Sequence, residues 1–199
     1  MKRLLILLTI FFSCTPFVVN AAIVCGSADT APTLNSAQAL NSGAGSPWMD
    51  AQPFTPSQDC VPSNATFYFS RNSSGIGNVM AAVWSDSAGA PNAPLATSSS
   101  LALTSFAIYP SNTQGTVTFS AAPTLHSGTQ YWFIVARDNN TGQGIAWGSA
   151  SAPYGDFYVV GTGWVTANTP YTPMQMNFVL NGTIPSVVVP LFQTIYGWW

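Results

Sequence analysis

After its second residue the chain contains neither lysine nor glutamate, and that absence decides most of what it can fold into. Those residues usually carry the solvent face of a helix, so without them an ordinary amphipathic helix is hard to build. Proline and glycine, 15 and 16 in number, break the chain every few residues. The runs between them are β-branched or aromatic. The pattern predicts an all-β protein, an antiparallel, jelly-roll-like β-sandwich of about 8–10 strands.

The expected strands are Thr66–Arg71, Asn78–Ser85, Leu95–Thr104, Gly115–Ser120, Gln130–Arg137, Gly144–Gly148, Asp156–Val160, Gly163–Thr166 and Met174–Leu180. A short strand around Ile23–Cys25 is expected at an edge. In the last long strand Met174, Met176, Phe178 and Leu180 alternate with Gln175 and Asn177, which predicts one buried and one polar face. Val117 and Phe119 alternate with Thr116 and Thr118 in the same way. Tyr131 to Ala136 is apolar on both faces, as a central strand is when one face meets the core and the other is covered. Asp86 to Pro91 and Asp138 to Gly142 carry the Asp and Gly of tight turns.

The first residues read as a secretory signal peptide. Lys2 and Arg3 precede the apolar run Leu4 to Phe12, and Val19-Asn20-Ala21 suits cleavage after Ala21. The run is shorter than the roughly 20 residues of a spanning helix. Lipidation at Cys14 is the competing reading, although Phe11 and Phe12 suit that processing poorly. The chain then divides into a signal peptide (1–21), a lead with an edge strand (22–51), the sandwich (52–182) and an apolar tail (183–199). The tail suits an extra edge strand, the start of an anchor or a flexible tail.

Without the leader, Arg71 and Arg137 face six aspartates (Asp29, Asp50, Asp59, Asp86, Asp138 and Asp156), and 2 − 6 gives a formal charge of −4. No basic track exists for phosphates, which argues against nucleic acid as a partner. Cys25 and Cys60 are the cysteines left after the leader, a pair that in an oxidising compartment reads as a disulfide and otherwise as two buried thiols. As a crosslink the pair would contribute about 3–4 kcal/mol.

Little of this sequence suits catalysis. His126, the single imidazole, lies in the turn Leu125 to Gly128, and the aspartates fall mostly in turns with no frame for paired carboxyl groups. No cofactor is expected. Zinc is disfavoured by one histidine and two paired cysteines. Asp138-x-Asn140-x-Gly142 echoes a calcium loop but lacks further acids. Trp84 and Trp132 are expected to pack in the core. Trp147, Tyr154 and Trp164 are candidates for stacking sugar rings, with inter-strand packing as the competing role. Asn64-Ala65-Thr66, Asn72-Ser73-Ser74, Asn139-Asn140-Thr141 and Asn181-Gly182-Thr183 fit the glycosylation sequon.

Several segments together resemble a known family. They are Gln52-Pro53-Phe54-Thr55, then Val79 to Pro91 with its Val83-Trp84-Ser85-Asp86-Ser87-Ala88-Gly89-Ala90-Pro91 turn, then Gly115 to Phe119, then Leu125-His126-Ser127-Gly128-Thr129-Gln130-Tyr131-Trp132. Over about residues 52–182 this is similar to the choice-of-anchor domains of bacterial surface proteins, most like type R. The resemblance implies an exported sandwich without catalytic residues, held at a bacterial cell surface. The uncharged tail Thr183 to Trp199 departs from that pattern, having neither a full spanning helix nor a terminal basic cluster. The expectation is therefore a non-catalytic, secreted or cell-surface domain for adhesion, display or envelope structure. Its partner would be a glycan or a cell-envelope component, with the membrane reached only through an anchor. The alternative is a carbohydrate-binding module.

Overall fold

The computed structural model describes residues 22–28, 36–41, 49–137, 143–149, 157–160, 163–166 and 175–185. Among these there are strands and one 3-10 turn, Leu103–Ser105, and no α-helix. The strands form two sheets, every ladder antiparallel, as the predicted sandwich requires.

The first sheet contains β1 (Ala22–Ala28), β13 (Phe178–Thr183), β4 (Val61–Arg71), β9 (Gln143–Ser149) and β12 (Gln175–Met176) in that order. In addition β2 (Ser36–Asn41) pairs with β9, and β7 (Thr113–Thr118) pairs with β4. The second sheet runs β11 (Gly163–Thr166), β10 (Phe157–Val160), β3 (Met49–Phe54), β8 (Tyr131–Arg137), β5 (Asn78–Ser87) and β6 (Ala90–Ala102).

Between the sheets lies a core built largely of phenylalanine. Phe133 from β8 stacks on Phe178 from β13, with centroids 4.1 Å apart and planes 9° from parallel. Phe54 meets Phe178 edge-on at 5.9 Å, and Phe67, Phe69 and Phe106 continue the cluster. Rings of this size bury much apolar area per residue, and Val79, Val83, Leu103, Val117, Leu125, Val135 and Leu180 fill the space around them. Val117 and Phe119 are buried as their alternation predicts.

Strand β8 is buried on both faces. Tyr131, Phe133 and Val135 join the core between the sheets, while Trp132 and Ile134 form a second cluster with Ala51 and Ala82 on the other side. Trp84 packs against that second cluster, so the two tryptophans sit on the far face of their sheet and not between the sheets.

Two departures from the expected strands have clear causes. Met49–Phe54 is a full strand, and its register places Asp50 opposite Val135 and Gln52 opposite Phe133. Its inward-facing residues are Asp50, Gln52 and Phe54, all buried, so no apolar alternation marks it in the sequence. The predicted strand Met174–Leu180 is divided at Asn177, and Met174 lies outside the described residues. Met176 pairs with Gly148 of β9 and Phe178 with Phe67 of β4, so the chain changes partner strands at Asn177. Asn177 is consequently buried, contrary to the polar face expected for it.

The turn at Ala88 and Gly89 is a two-residue hairpin with φ of 54° and 80°, matching the twist of its strands. As the sequence suggests, Asp86 accepts a hydrogen bond from the Gly89 backbone N–H at 3.2 Å.

Candidate functional site

Cys25 and Cys60 form the expected disulfide, with Cα atoms 5.8 Å apart and both residues buried. The bond links β1 to the start of β4 although β13 runs between them. It can do so because the intervening residue is Gly182: a Cβ there would collide with Cys25 Sγ and the Val61 carbonyl. The register shifts in both flanking ladders, between Val24 and Gly26 and between Asn181 and Gly182. The first bulge turns Cys25 inward while Val24 stays outward and 50% exposed. The second brings both Ser63 and Asn64 beside Asn181.

On the solvent side of these strands lies a cavity of about 400 Å³. Ile23, Val24, Ser63, Asn64, Asn181 and Thr183 line it. Its amides are ordered by one another. Asn181 Nδ2 donates to Asn64 Oδ1 at 2.9 Å, Asn64 Nδ2 donates to Ser63 Oγ at 3.3 Å, and Ser63 Oγ donates to the Asn181 carbonyl at 3.4 Å. No lining residue is ionisable.

The cavity opens onto a polar sheet face. One row crosses four strands as Thr118, Asn64, Asn181 and Val24, each directly opposite the next. The following row is Thr116, Thr66, Val179 and Ser27, with Gln114 and Tyr68 beyond. These side chains are exposed or half-buried, while Ala65, Phe67, Val117 and Leu180 between them point into the core.

The interior has a second, unusual polar group. Asp50 is 1% exposed and neither carboxylate oxygen has a hydrogen-bond partner. Burial raises its pKa to about 8, so the carboxyl is mostly protonated at neutral pH. Two residues along, Gln52 Oε1 accepts the Met176 backbone N–H at 3.2 Å, while its Nε2 has no partner. The side chain that satisfies this N–H comes from the opposite sheet. Arg137, on the same side of β8, donates from Nη2 to the Ile76 carbonyl at 3.4 Å. Its stem lies against Gly144, where a Cβ would come 2.8 Å from Arg137 Cδ and 2.6 Å from the Phe69 ring.

The remaining aspartates with described side chains hold loops. Asp86 accepts from Trp132 Nε1 and Gln130 Nε2, each at 2.8 Å. Desolvation pushes its pKa up, but the bonds from Trp132, Gly89 and Gln130 outweigh it and leave the carboxyl below its usual range. Asp59 accepts the Ser127 N–H at 2.8 Å and lies 3.3 Å from His126 Nδ1, and these bonds lower its pKa. Ser127 Oγ donates instead to the Ser57 carbonyl, so the three residues clasp a turn and do not align as nucleophile and base.

Among the sequence-nominated residues, Trp147 lies in β9 opposite Ala37 and Trp164 in β11 opposite Val159. Their side chains, and Tyr154 and the Asp138 to Gly142 turn altogether, lie outside the described residues. Among the described residues no three of His, Cys, Asp or Glu come together. The amide cavity was not anticipated as a site. Its one trace in the sequence is that Asn64 and Asn181 both begin sequons.

No family model matches the chain, and no curated protein matches it either. Among the described residues no helix is long and apolar enough to cross a membrane.

Proposed function

We propose that this chain is an exported, non-catalytic β-sandwich that acts at the cell surface or outside the cell in adhesion, display or envelope structure. The observation that carries the reading is the buried Cys25–Cys60 crosslink, which belongs to an oxidising compartment. The signal-peptide pattern of residues 1–21 supports it, as does the resemblance of residues 52–182 to choice-of-anchor domains. The uncharged hydroxyl and amide face supports it further, because such a surface meets neutral partners without large desolvation of ions.

Expression in the native host tests the reading. The protein is expected to begin at Ala22, to be cut by protease added to intact cells, and to carry no titratable thiol when denatured without reductant. A chain retained in the cytoplasm with two free thiols would sink it. Hydrolysis of a polysaccharide or peptide that is lost on an Asp→Asn change would overturn the non-catalytic part.

A further inference from the structure

We propose that the cavity between β1, β13 and β4 binds a neutral, hydroxyl-rich ligand, a saccharide unit of a glycan. This rests on the surface reading above and supplies a partner chemistry for it. The lining contains no ionisable side chain, so a metal ion would enter without a counter-charge, and an anion would meet only the α-ammonium that cleavage after Ala21 leaves on Ala22. A sugar needs none.

The polar atoms suit one. The mutual bonds of Asn64, Asn181 and Ser63 leave Asn181 Oδ1, one N–H on each amide and the Thr183 hydroxyl with bonding capacity. Donors thus stand beside acceptors, the arrangement that neighbouring sugar hydroxyls satisfy, since each both gives and takes a hydrogen bond. Val24, half exposed, and Ala22 supply an aliphatic wall for the C–H face of a ring. At about 400 Å³ the cavity falls at the small end of the range for small-molecule sites, about 300–1,000 Å³.

The site is also formed in advance. The bulges that gather Ser63, Asn64 and Val24 around Asn181 lie on strands clamped by the disulfide, so binding has little backbone to order. The rows Thr118–Asn64–Asn181 and Thr116–Thr66 give further sugar units a polar surface to lie along.

The test is a nitrogen–proton NMR titration of the secreted, disulfide-intact chain. The probes are methyl glycosides of glucose, galactose, mannose and N-acetylglucosamine and their disaccharides. At least one is expected to shift the side-chain amides of Asn64 and Asn181 and the backbone amide of Val24. Affinity is expected to fall tenfold or more in Asn64→Ala and Asn181→Ala and to stay unchanged in Asn92→Ala on the other sheet. Asn181→Asp keeps the shape and adds a charge, so it separates lost binding from lost fold. It is expected to weaken binding with the unfolding midpoint preserved.

Undiminished affinity in folded Asn181→Asp would overturn the proposal, as would binding that follows Trp147 instead. An extended peptide that adds to β1 without involving the amides would also overturn it. So would a flat response to every glycoside, and a surface location of the same preparation would then leave the proposed function standing. A cytoplasmic, reduced chain would sink that function whatever the cavity binds.

Discussion

The two ends of the interior are built on opposite principles. At the disulfide end, Phe54, Tyr131, Phe133 and Phe178 fill the space between sheets with rings, and Cys25–Cys60 closes it. At the other end, the same strands β3 and β8 direct Asp50, Gln52 and Arg137 inward. The difference teaches where each end gets its order. Rings give large, non-directional burial, whereas the buried polar groups give specific bonds, such as Gln52 to Met176, and carry a desolvation cost.

The largest effect is expected at the polar end. Asp50 has a folded pKa of about 8 against an ordinary 3.8. Between those values the folded protein keeps a proton that the unfolded chain releases. The Asp50 contribution to stability should therefore be fullest below about pH 4, fall as pH rises through about 8 and then level off. The slope is on the order of 1 kcal/mol per pH unit, several kcal/mol over the window. Urea unfolding across that window, repeated with Asp50→Asn, checks it: the variant should lose the slope and gain stability at the alkaline side. An unchanged slope in the variant would mean that Asp50 is not the dry carboxyl on which the comparison depends.

At the apolar end, Phe133→Ala removes the ring stacked on Phe178 and should cost about 3–5 kcal/mol at every pH. That effect is measurable by thermal unfolding. Replacing both Cys25 and Cys60 by serine should cost about 3–4 kcal/mol, again without pH dependence. Differential scanning calorimetry of the double variant against the oxidised parent reads this directly. The smallest effect is that of Gln52→Met, which keeps the volume but leaves the Met176 N–H unbonded. About 1–3 kcal/mol is expected, with faster amide exchange at Met176 as its local signature.

The sequence made some of this legible and concealed the rest for physical reasons. Strand β8 could be read because both its faces are covered, which leaves a continuous apolar run. The stretch from Met176 to Leu180 could be read because Met176, Phe178 and Leu180 all enter the core. Strand β3 could not, since a strand that points Asp and Gln inward has no apolar period to detect. The break at Asn177 depends on a change of partner strand, a property of β4 and β9 and not of the residue itself. The cavity is less legible still. It requires two bulges and an Asn64–Asn181 contact between residues 117 apart in sequence.

The crosslink that straddles Gly182 has a mechanical consequence. Ala22 and Thr183 are partners at the same end of neighbouring antiparallel strands. Tension applied between them would open that ladder like a zipper, rupturing one rung at a time. Cys25 lies three residues along, and there the load passes through a covalent bond into Cys60 and the strand beyond. The molecule thus carries a built-in stop against peeling β1 away from β4. Strand β13, which lies between them, is held by its two ladders alone.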